Sequence, residues 1–243
     1  MNKPFNVIYE DNHLLIVNKR AGLLVQGDAT KDKTLTDYCK SYIADKYKKP
    51  GEVFLHPVHR LDRPVSGMVV FARTSKGLER MNELFRKRQV YKVYWAVTKR
   101  RPSEENGKLV HWLSKNPDTN VVTAHEKEID GTKKAELTYK RLGKLNDHWL
   151  LEIRPITGRS HQIRVQLSSM GCPIRGDVKY GFPKPNPDAS IHLHAFQLVF
   201  VHPIKKEKLF LRAALPEDPF WEQFYEFEDV KVKDNYLDNT YSG

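Results

Sequence analysis

Cysteine is scarce in this 243-residue chain: there are two, Cys39 and Cys172, and they form no C-x-x-C spacing. That excludes a disulfide framework and a four-cysteine zinc site and suits a reducing cytosol. No run approaches the roughly 18 apolar residues of a membrane helix. The start, Met1-Asn2-Lys3-Pro4-Phe5, has no apolar signal stretch. The expectation is a cytoplasmic protein with no membrane partner. Also missing are G-x-x-x-x-G-K-[ST] and G-x-G-x-x-G, which excludes the common nucleotide-binding loops. His56 with His59, and His192 with His194, lack both H-E-x-x-H and a nearby cysteine set, so they read as structural histidines with no metal. Ser66 and Ser160 lie near histidines but without a G-x-S-x-G elbow.

What is abundant is positive charge. Lys plus Arg is 41 against 30 Asp plus Glu, a formal net charge of +11. Such a surplus favours an anionic partner, and nucleic acid is the usual one. Hydrophobic residues make up 40%, enough for a sizeable core. With no internal repeat or central linker, one domain is expected over residues 1–228. The polar segment 229–243 reads as a flexible tail.

Periodicity gives a coarse map. Val7–Tyr9 and Leu14–Val17 around Asp11-Asn12 read as a hairpin. Thr34 to Lys48 reads as a helix, capped by Thr34 with Asp37, with Leu35, Tyr38, Tyr42, Ile43 and Tyr47 as its stripe. Val53 to Phe71 reads as extended around a turn, and Ser75 as the cap of a second helix carrying Leu78, Met81, Leu84 and Phe85. Gln89–Val97, Ala135–Tyr139, Trp149–Ile153, Ile191–Val201 and Lys208–Ala213 read as strands, the last two as a pair. His161–Met170 reads as a helix stopped by Gly171, and Pro219–Phe227 as a closing helix. Without regular βαβ alternation, the class is α+β with a mixed, mostly antiparallel sheet flanked by helices.

Three segments concentrate chemistry. His56-Pro57-Val58-His59-Arg60-Leu61-Asp62-Arg63-Pro64-Val65-Ser66-Gly67 sets a carboxylate between two guanidiniums in a turn. It reads either as an ionised catalytic carboxylate or as a surface ion-pair cluster. Thr157-Gly158-Arg159-Ser160-His161-Gln162-Ile163-Arg164 reads as a phosphate-friendly loop entering a helix or as a solvated helix start. Tyr91-Lys92-Val93-Tyr94-Trp95-Ala96 reads as packing aromatics or as a tyrosine reaching a site. Arg86-Lys87-Arg88 reads as phosphate contacts or a solvated helix face.

Together these motifs resemble the RluA-type family of pseudouridine synthases. His59-Arg60-Leu61-Asp62-Arg63 with Ser66-Gly67 is similar to the family's H-R-L-D-R-x-T-S-G-L. Gly158 to Arg164 matches its second basic motif. Gly171-Cys172-Pro173-Ile174-Arg175-Gly176-Asp177 with Tyr180-Gly181 matches the loop that follows, and Lys92 to Ala96 its K-x-Y-x-A strand. Departures are Val65 for Thr, Met68 for Leu, Lys19-Arg20-Ala21-Gly22 for K-P-x-G, and Gln166 for His.

The resemblance implies the pseudouridine synthase fold and isomerisation of uridine in tRNA or rRNA without a cofactor. It also implies a catalytic domain, here a monomer, with no S4-type RNA-binding domain in front. By carry-over, Asp62 attacks at C1′ or at the base, Arg164 holds it charged and aimed, and Tyr94 removes the C5 proton. Ile163 walls the base, Arg60 fills the space of the flipped uridine, and Arg63, Arg159, His161 and Gln162 contact the RNA. Two rivals are a catalytically silent RNA-binding or RNA-folding protein, and a glycosidase. The latter needs a second carboxylate about 5–10 Å from the first, and none stands in the Asp62 motif.

Overall fold

The computed structural model describes residues 4–27 and 32–227; the expected tail lies outside them. Eleven strands form one sheet. They are β1 (Phe5–Glu10), β2 (Leu14–Lys19), β3 (His56–Pro57), β4 (Ser66–Ala72), β5 (Tyr91–Thr98), β6 (Asn106–Lys115), β7 (Val122–His125), β8 (Lys133–Leu145), β9 (His148–Pro155), β10 (Leu193–Val201) and β11 (Lys208–Arg212). The helices are α1 (Leu35–Tyr47), α2 (Ser75–Arg86), α3 (Gln162–Ser169) and α4 (Pro219–Glu222). The sheet order is β1-β2-β4-β10-β5-β9-β8-β6-β7, with β11 beside β10 and β3 beside β4. Among the described residues, no helix is long and apolar enough to cross a membrane.

The α+β class and the mostly antiparallel sheet agree with the sequence reading. The exception to antiparallel pairing is β4 with β10, parallel at Ser66–His194 and Gly67–Ala195. This junction joins the sheet's two halves. Gly67 makes it possible: its φ is +111°, and a Cβ there would lie under 3.0 Å from the Ala195 backbone. The turn carrying Asp62 therefore enters the sheet at its centre. Ile191 N–H donates to Pro64 O at 3.0 Å, which fixes the start of β10 against the same turn.

Capping residues set the helix starts. Thr34 and Asp37 form the expected capping box, and the buried stripe of α1 is Leu35, Cys39 and Ile43. Tyr47 lies outside it, exposed. The cap of α2 is Thr74 rather than Ser75; its side chain accepts from Gly77 N–H. The expected closing helix is broken into α4 and a 3-10 turn at Tyr225–Phe227. Its aromatics turn inward instead, with Trp221 and Phe224 packing against Trp95 and Phe196.

The largest difference lies between residues 106 and 125, where β6 and β7 form the far edge of the sheet without an apolar alternation to announce them. The short Ala135–Tyr139 run also extends to the thirteen residues of β8. Apart from buried His111, the polar side chains of these strands are exposed or half-buried, so burial leaves only a partial mark on the sequence.

Candidate active site

Three chain segments meet at an open cavity of about 780 Å³: the turn before β4, strand β5, and the loop leading from β9 into α3. They bring Asp62, Tyr94, Ile163 and Arg164 to its wall, with Arg60, Arg63, Arg159, His161 and Gln162. All nine residues to which the resemblance gives site roles therefore line one cavity. Lys92, Lys115 and Lys179 line it too, so its surround is strongly basic about the Asp62 carboxylate.

The Asp62 side chain is 28% exposed, enough to meet a ligand. Its Oδ2 accepts from Arg164 Nη1 at 3.0 Å. The adjacent Arg63 turns elsewhere: its Nε donates to Gly22 O and its Nη2 to Asp32. The charge partner of Asp62 thus comes from α3 and not from its own motif.

Arg164 is held rigidly. Its Nε and Nη2 donate to both oxygens of Asp177, at 2.8 and 2.9 Å, and Asp177 is 1% exposed. This two-pronged geometry is the strong form of a carboxylate–guanidinium pair. It leaves Nη1 for Asp62. Arg164 therefore serves inside the wall and not at the phosphate-friendly helix start. A second carboxylate does lie near Asp62, but Asp177 is buried with both oxygens engaged, unlike the accessible pair of a glycosidase.

His161 takes a left-handed conformation, φ 51°, at the start of α3. The Tyr180 hydroxyl accepts from Val122 N–H at 3.0 Å and lies 2.7 Å from His161 Nδ1. The other ring nitrogen, Nε2, lies 3.8 Å from Asp62 Oδ2. Burial pushes the His161 imidazole below its ordinary pKa, and the charge of Asp62 opposes that. Gln162 differs from its expected RNA contact. Its Oε1 accepts from Thr157 Oγ1 and Arg159 N–H, and its Nε2 donates to Glu136 O. It shapes the loop that presents Arg159, because a buried amide bonds within the chain when neighbours supply partners.

Tyr94 sits on β5 between Ile153 and Ala195. Burial, and then the charge of Asp62, raise its phenol well above the usual tyrosine range.

Sequence reasoning missed Asp177 and Tyr180 as site residues, although both stand in the Gly171–Gly181 loop. It noted Lys19 only within a motif. Lys19 is 1% exposed, and its Nζ donates to the carbonyls of Arg20, Leu23 and Arg63 at 3.0, 2.9 and 3.3 Å. Burial pushes its ammonium down to about 7, opposed by Asp62 and aided by Arg63. It ties the end of β2 to the turn that carries Asp62. Lys115 comes from the unread strand β6 and carried no signal.

Comparison with known proteins agrees with this geometry. The family model described as RNA pseudouridylate synthase matches residues 13–169. A tRNA pseudouridine synthase C of Vibrio parahaemolyticus is 32% identical over 93% of this chain and 97% of its own length. A ribosomal large subunit pseudouridine synthase C of Rickettsia prowazekii is 33% identical over 86% of this chain and 68% of its own. Among solved structures, human RNA pseudouridylate synthase domain containing 4 superposes with a TM-score of 0.75 at 28% identity, covering 92% of this chain and 93% of that one. The chain therefore belongs to the RNA pseudouridylate synthase family, in its RluA-type branch.

Proposed function

We propose that this protein converts specific uridines of a transfer or ribosomal RNA to pseudouridine, with Asp62 as the nucleophile. The observation that carries the reading is Arg164, clamped by Asp177, donating to an accessible Asp62 inside a basic cavity. The target uridine leaves its stack to reach that cavity, and Arg60, exposed at the wall, fills the gap. Asp62 attacks at C1′ or at the pyrimidine ring. The N1–C1′ bond breaks, the uracil turns against Ile163, and C5 bonds to C1′ as the bond to Asp62 is released. The Tyr94 phenol gives its proton to N1 and, as phenolate, takes the proton from C5, so no net electron or group transfer occurs. Burial, reinforced by the charge of Asp62, keeps the Tyr94 phenol protonated in the resting site. Covalent bonding of Asp62 removes the smaller of these two effects and eases loss of the phenol proton. Both cysteines are free and buried, in keeping with action in the cytoplasm.

The test is Asp62→Asn, which keeps shape and removes the nucleophile. RNA binding is expected to persist while pseudouridine formation, mapped in cellular RNA with and without the gene and then in vitro, disappears. Turnover by the Asn variant, with deamidation excluded by mass, would refute the assignment.

A further inference from the structure

A second cavity of about 640 Å³ adjoins the first, within the roughly 300–1,000 Å³ of ligand pockets. The two share Phe85, Lys92 and the loop Thr157-Gly158-Arg159. From that shared lip the second cavity continues onto the opposite face of β5. Strand alternation puts Tyr91 and Val93 there, away from Tyr94, and both line it.

Three observations point to its occupant. Arg86 and Arg88, exposed at the end of α2, line the cavity, as does exposed Arg159. Lys87, between the first two, does not line it and pairs with Glu83 at 2.8 Å. The basic run is thus divided between a solvated position and two that face the cavity. Arg154 also lines it but is engaged by Glu152, so the charge argument rests on the other three. Finally, Gln197 on β10 lines the cavity, is 2% exposed, and its Oε1 has no hydrogen-bond partner. A buried acceptor without a partner is costly, and a donor reaching it from the cavity would offset that cost.

We propose that this second cavity binds a nucleotide of the substrate RNA adjacent to the uridine held at Asp62. The proposal rests on the RNA-modifying reading above. Arg86, Arg88 and Arg159 would hold the phosphodiester as it crosses the shared lip. Gln197 Oε1 would accept from a base N–H or a ribose 2′-hydroxyl, both of which RNA supplies. The lip is open at Gly158, where an added Cβ would meet only Lys92 Nζ, at 3.9 Å. The cavity would thereby add affinity and sequence context to substrate binding.

The experiment uses the intact protein with three probes: inorganic phosphate, uridine monophosphate and a short oligouridylate carrying photoreactive 4-thiouridine. The oligomer is expected to cross-link to peptides containing Tyr91 or Gln197 as well as to the Asp62 cleft. Arg86→Gln with Arg88→Gln should flatten its salt dependence by about two units, roughly one per phosphate contact. Lys76→Ala, which removes a charge at the other end of α2, should not. Gln197→Leu should weaken the oligomer roughly 2- to 10-fold, with circular dichroism confirming the fold. If the wild-type protein binds no oligomer, the RNA reading itself fails. If it binds, but cross-links only in the cleft and ignores the arginine changes, the second subsite is overturned while that reading stands. Binding of monophosphate or phosphate that depends on Gln197, with the oligomer unaffected, would show a small-anion site and overturn the proposal.

Discussion

Asp62 and Arg164 stand 102 positions apart in sequence and 3.0 Å apart in space. The contact is set from behind, because Asp177 grips the two remaining faces of the same guanidinium. Asp177→Asn keeps one acceptor and turns an amide N–H toward an arginine donor. The expected result is a folded protein with RNA affinity near wild type and single-turnover chemistry slower on the order of 100-fold, the scale of a misplaced reacting group. Unchanged chemistry in that variant would show that Arg164 needs no clamp.

Tyr94→Phe removes a hydroxyl and little volume. If Tyr94 carries the C5 proton, the chemical step should fall on the order of 10²- to 10⁴-fold, the usual contribution of a positioned acid or base, while RNA affinity holds. Single-turnover rates with a C5-deuterated uridine separate the cases. A wild-type rate in the Phe variant assigns the proton elsewhere.

Gly67→Ala tests the junction of the two half-sheets. The new methyl meets the Ala195 backbone, and positive φ adds strain. A loss of about 2–5 kcal/mol is expected from overpacking and strain together, read as a shift in urea midpoint. A change below 1 kcal/mol, in roughly the range of an unremarkable surface substitution, would mean that β4 and β10 can separate cheaply.

Acid should weaken the fold before the carboxylates titrate. Burial pushes His192 down to about 3 and His194 to about 4, and both are essentially unexposed. The folded state keeps them neutral while the unfolded chain protonates them near 6.5. Their contribution is therefore intact above pH 6.5 and declines as pH falls toward 4. Two such protons correspond to at most about 3 kcal/mol per pH unit. Urea midpoints between pH 7 and 4.5 should drop accordingly, with a shallower slope in His194→Gln; equal slopes would exclude His194 as a source.

Sequence alone determined the α+β class, most strands and helices, and nine of the residues at the cavity wall. Periodicity and capping are local properties, so Thr34 with Asp37 and the β10 run were legible from neighbours a few positions apart. The motifs around Asp62, Tyr94 and Arg164 were dense enough to identify the family. Tertiary structure decided what each residue faces. Arg63, next to Asp62 in the chain, pairs with Asp32, whereas Arg164 supplies the charge. Gln162, expected on RNA, holds its own loop. Lys19 became a buried tie between segments, and β6 and β7 appeared where no apolar alternation announced them. The physical reason is the same in each case. A side chain's hydrogen-bond partner and its burial depend on which distant segments the sheet brings together, and local sequence does not encode that pairing.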